Sequence, residues 1–93
     1  MARYYEIAGG KSKVTEIEPK VGGKFALKEA QTLVGGYVEL VRLNDDNIML
    51  LDEEGLLKSK EINLQAMRYA HQLGWMNCDI LVGDVLFLKD NEF

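Results

Sequence analysis

A small α+β domain is the fold class this sequence predicts: a mostly antiparallel sheet with two helices, in the order ββ-α-ββ-α-β. Three observations predict it. Short runs rich in β-branched and aromatic residues come in pairs around glycine or Asn/Asp turns. Two segments carry apolar residues at helical spacing, and a final apolar run, "DILVGDVLFL", reads as a buried strand. The 93 residues make a single domain, 1–93, since domains usually run to ~100–150 residues and two cores would not fit.

"RYYEIAGGKSKVTEIE" places Tyr, Ile, Val and Thr on both sides of "GGKS", so a β-hairpin is expected, with Pro19 closing its second strand. Tyr4 and Tyr5 are adjacent and must point to opposite faces of a strand, which allows one of them to lie outside the core. "KVGGKF" reads as a flexible connection. From about Lys24 to Val34, Ala26, Leu27, Ala30, Leu33 and Val34 share one helical face, and Gly35 is placed to end that helix. "GYVELVRL" and "NIMLLD" flank "NDDN", the second hairpin. "LLKSKEI" fits either a short strand or an extended loop. Asn63 caps the second helix, Ile62 and Met67 occupy hydrophobic-staple positions, and Gly74 ends it. Gly83 and Asp84 then interrupt the last strand as a bulge or tight turn.

Composition narrows function more than it defines it. Hydrophobic content of 47% and charged content of 28% are ordinary for a folded globular protein. A net charge of −4 argues against a broad nucleic-acid surface or an anionic-membrane face. No apolar run approaches the ~18 residues that span a bilayer, and "MARYYEIAGG" does not read as a signal peptide. One cysteine excludes an internal disulfide, and a cytoplasmic location is expected.

Sites of chemistry are sparse. One His, one Cys and scattered carboxylates offer no metal-ligand spacing, and "NDDNIMLLDEEG" does not follow a calcium loop. No metal and no cofactor are expected. His71 and Cys78 form the only nucleophile–base pairing, and a structural thiol beside a surface histidine is the plainer reading. The double glycines lack the rest of any phosphate-loop pattern. A non-enzymatic protein is the expectation.

The pair Gly35–Gly36 raises one further question, because one glycine suffices to stop a helix. Gly36 serves either a plain helix-to-strand turn or the close approach of another group. On the approach reading, replacing Gly36 by alanine disturbs folding less than replacing Gly35 by valine. Tyr37 is either a half-buried strand aromatic or a stacking surface. Trp75, Met76 and Phe93 either cover core edges or help form a subunit interface.

Taken in order, "LVGGYVELVRL", "NIMLLDEEGLLKSKEIN" and "DILVGDVLFL" resemble a family of small phage and mobile-element proteins catalogued as a domain of unknown function. The resemblance runs from Lys13 to Leu88; "RYYEIAGG" is similar only in being a strand. It implies an accessory protein without an established activity. The expected function is a homo-oligomeric binding module that captures a small nucleotide-like ligand, with Gly35 and Gly36 giving backbone access, Tyr37 stacking, and Asn63 with Arg68 making polar contacts. The alternative is an acidic module that engages a host protein.

Overall fold

A computed structural model describes residues 2–76 and 79–93. The elements are β1 (Ala2–Ala8), β2 (Lys11–Ile17), α1 (Leu27–Val34), β3 (Val38–Arg42), β4 (Asn47–Asp52), α2 (Leu64–Gln72) and β5 (Val85–Lys89), with a 3-10 turn at Asp90–Glu92. This is the expected ββ-α-ββ-α-β order. All pairings are antiparallel in a single five-stranded sheet ordered β2-β1-β5-β4-β3. The last strand therefore enters the middle of the sheet.

Alternation along the strands builds two cores, one on each face. Ile48 and Leu50 of β4, with Leu86 and Leu88 of β5, pack beneath Ala30 and Val34 of α1. Met49, Leu51, Val85 and Phe87 face the other way, against Ala66 and Ala70 of α2. The molecule is thus three layers, helix–sheet–helix. Strands buried on both faces read as continuous apolar runs, which is why "IMLL" and "VLFL" show no polar alternation. Each fully buried Ile or Leu here contributes ~1.5–3 kcal/mol.

Tyr4 and Tyr5 do split between the faces, and both pack against apolar clusters. Tyr5 stacks on Tyr69 of α2 at 5.4 Å and meets Phe87 edge-on at 5.2 Å. Trp75 is buried beside them, and Phe93 packs on the α1 side, so the core-edge reading accounts for both. Met76 stays exposed.

The β1–β2 hairpin turns at Gly9 and Gly10, both at positive φ, 58° and 76°, as a two-residue primed turn requires. In the second hairpin, Asn44 Oδ1 accepts from the amides of Asp46 and Asn47, each at 3.0 Å. Several segments differ from expectation. Helix α1 begins at Leu27 and not at Lys24, because Ala26 is extended. "VGGK" is a tight turn bridged between Val21 and Lys24. "LLKSKEI" is neither strand nor extended loop, since most of it coils through turns that bring two lysines back onto β4. Ile62 bridges Val82, and β5 starts only at Val85. Cys78, read from sequence as a structural thiol, lies outside the described residues.

Candidate functional site

Helix α1 ends where Gly35 takes the left-handed conformation, φ 81°, and the amides of Gly35 and Gly36 both donate to Gln31 O. Its last carbonyls face outward at the negative end of the helix dipole, where cations are favoured. Two lysines supply that charge. Lys60 Nζ donates to Val34 O at 2.8 Å, and Lys58 Nζ donates to Gly35 O at 3.2 Å.

Both ammonium groups also lie 2.8 Å from Asp52 Oδ2, at the end of β4. Asp52 Oδ1 accepts from the Glu54 amide at 2.9 Å. Burial alone pushes the Asp52 carboxyl up, but hydrogen bonds from Lys58, Lys60 and the Glu54 amide outweigh it and hold the group at about 2. The same contact with Asp52 raises Lys58. One backbone bond closes the knot, the Glu53 amide donating to Tyr37 O at 2.9 Å.

Gly36 sits inside this knot. A Cβ placed there would meet Asp52 Oδ1 and Lys58 Nζ, each at 2.6 Å. The group that approaches the second glycine is thus part of the same chain. Alanine at position 36 would therefore crowd Asp52 and Lys58.

Tyr37, directly after, projects its ring outward with 67% of its surface exposed. A groove of about 340 Å3 runs past it, lined by Lys28, Gln31, Thr32, Gly36, Glu54 and Lys58. Tyr37 is therefore exposed and not the half-buried strand aromatic. Lys58 uses two of its three N–H groups on Asp52 and Gly35, which leaves one for a ligand. Lys28 stands one α1 turn before Thr32, whose hydroxyl donates back to Lys28 O at 3.0 Å.

Asn63 and Arg68 are elsewhere. Asn63 is fully buried at the α2 N-terminus; its Oδ1 accepts from the Ala66 amide, and its Nδ2 donates to Tyr5 O and Gly83 O. Both its side-chain N–H groups and its oxygen are bonded within the fold. Arg68 is exposed on α2, across the sheet from α1, and does not line the Tyr37 groove. Of the five expected contact residues, the structure brings together Gly35, Gly36 and Tyr37, and joins Lys28 and Lys58 to them. Those lysines carried one sequence signal: Lys58 lies six residues after an acidic strand end, within reach once the intervening chain turns.

Two further carboxylates tie the hairpin β1–β2 to the rest. Glu61 accepts from the amides of Gly9 and Gly10, at 2.7 and 2.9 Å. Asp84 accepts from the Ile7 amide at 3.0 Å. Tyr4, which donates to Leu33 O and lies 3.3 Å from Asp84 Oδ2, has its phenol pushed up by burial and by that carboxylate. His71 stacks on Trp75 at 5.5 Å between centroids. Among the described residues, no group of three or more His, Cys, Asp or Glu side chains is placed to hold a metal ion. Nor is any described helix long and apolar enough to cross a membrane.

The fold is a three-layer α+β domain. The chain belongs to the DUF3846 family, described as a domain of unknown function, whose model matches residues 3–93. The match begins at Arg3 and so takes in "RYYEIAGG", beyond the Lys13–Leu88 span that the motifs alone carry. Among curated proteins and among solved structures, no significant match to the chain is found.

Proposed function

We propose that the protein is a non-catalytic binding module that captures a small anionic ligand with an aromatic ring, of the nucleotide class, in the groove at Tyr37. The observation that carries this reading is an exposed tyrosine in a groove whose lining includes Lys28 and Lys58. A base stacks on such a ring, and the lysines take a phosphate as point charges. The knot around Asp52 serves as the rigid support, because it fixes the backbone on both sides of Tyr37.

Capture without turnover amounts to sequestration, and a nucleotide immune signal in phage–host conflict is the ligand of that class we place first. The net charge of −4 keeps long polyanions away while two local lysines hold a small one. Mass spectrometry of small molecules released on denaturing the protein, after incubation with a cell nucleotide extract, tests this. A phosphate-bearing, ultraviolet-absorbing species recovered near one per chain is expected; release of no such species contradicts it.

A further inference from the structure

A second surface lies on the opposite face of the sheet. Helix α2 packs on the cluster that holds Tyr5, Met49, Leu51, Val85 and Phe87, with Val41 of β3 at its edge, and a cleft of about 390 Å3 opens beside it. Val41, Leu51 and Trp75 form part of its floor, and Leu56 and Ile80 stand exposed on its walls. Its rim is acidic, with Glu39 and Glu53. Beside it runs β3, the last strand of the sheet order, with no strand on its outer edge among the described residues.

We infer that this cleft and the β3 edge take an extended peptide segment with apolar residues between basic ones. An edge strand offers a row of unpaired N–H and C=O groups, and a peptide that pairs with it directs alternate side chains to one face. On the α2 face those side chains meet the apolar floor, and their basic neighbours meet the acidic rim. Charge chooses this occupant over a second copy of the chain, because two copies paired through β3 bring one acidic rim toward another at a net charge of −4 each. Glu39 and Val41 share the α2 face of β3, so one strand supplies both the charge and the apolar seat.

The chain contains a single tryptophan, and Trp75 lines the cleft, so its emission reports occupancy directly. The probe is the acetylated, amidated peptide KTVTLTK, whose Lys, Val and Leu residues fall on one face of a strand. The control is ETVTLTE. We expect saturable change in Trp75 emission with the basic peptide and binding about tenfold weaker or worse with the acidic one. Glu39→Lys, an exposed change checked for retained circular dichroism, should narrow that preference. N-methylation of the odd-numbered or of the even-numbered peptide amides separates edge pairing from simple charge attraction. Only one of the two sets points at β3, so one methylated peptide loses binding and the other keeps it. Equal binding of acidic and basic peptides, equal behaviour of both methylated forms, no response to the basic peptide, or a light-scattering dimer that excludes it overturns the inference.

Discussion

The side chain of Asp52 occupies the space that a Cβ on Gly36 would fill, with Oδ1 only 2.6 Å from that point. The second glycine of "LVGGY" is therefore a hole shaped for a buried carboxylate. Gly35 has the different task of turning the helix end at φ 81°. Adjacent glycines answer to separate physical demands.

Replacing Gly36 by alanine should cost ~1–3 kcal/mol, the usual penalty of overpacking, because Asp52 is buried and cannot swing aside. Gly35→Ala should cost ~1–2 kcal/mol through left-handed backbone strain, since the nearest atom there is the tip of the Lys60 side chain. Urea unfolding of both variants checks this. A Gly36→Ala midpoint equal to wild type contradicts the close-approach account.

Asp52 also sets an acid limit on stability. Its carboxyl titrates at about 2 in the fold against an ordinary 3.8, so its contribution is complete above the higher value and disappears as pH falls toward the lower one. Water reaches its lysine partners, which reduces the effect to ~1–2 kcal/mol. Urea midpoints between pH 5 and pH 2 should fall in wild type and fall less steeply in Asp52→Asn. Parallel slopes for the two proteins contradict this role.

Asn63→Ala should destabilise by ~2–4 kcal/mol, because it removes a helix cap and leaves the carbonyls of Tyr5 and Gly83 buried without their donor. Asn63→Asp keeps the cap acceptor but turns a second oxygen toward those carbonyls, so it should rescue little. Arg68→Ala, on an exposed face, should stay within ~0.5 kcal/mol of wild type. Thermal melts of the three variants decide the matter; an Asn63→Asp protein as stable as wild type would show that the two carbonyl contacts matter little.

The order of elements was readable because each signal is local. A turn glycine, an Asn cap, or an apolar stripe at helical spacing needs only its neighbours in sequence. The sheet order was hidden, since placing β5 between β1 and β4 depends on pairings across most of the chain. The same distinction governs the site. Tyr37 stands out by its place after the glycines, whereas Lys28 and Lys58 join its groove only through the tertiary meeting of α1 with the turn after β4. Arg68 shares a helix with Asn63, but sequence does not reveal the side of the sheet on which that helix lies. The three stretches that carry the family resemblance meet in space as packing contacts: Gly36 on Asp52, Gly55 on Val82, and Asn63 on Gly83. Their shared role in this chain is to lock loops together.

Titration calorimetry with a panel of cyclic and linear nucleotides tests the proposed function most directly, using wild type, Tyr37→Ala, Lys28→Ala and Arg68→Ala. The account predicts that at least one nucleotide binds wild type. Loss of Tyr37 should remove a stacking contact of ~1–3 kcal/mol, about 5- to 150-fold in affinity. Lys28→Ala should weaken binding in a salt-dependent way, and Arg68→Ala should leave it unchanged. No heat from any nucleotide with wild type, or affinity untouched by both Tyr37→Ala and Lys28→Ala, would contradict the claim that this groove is the binding site.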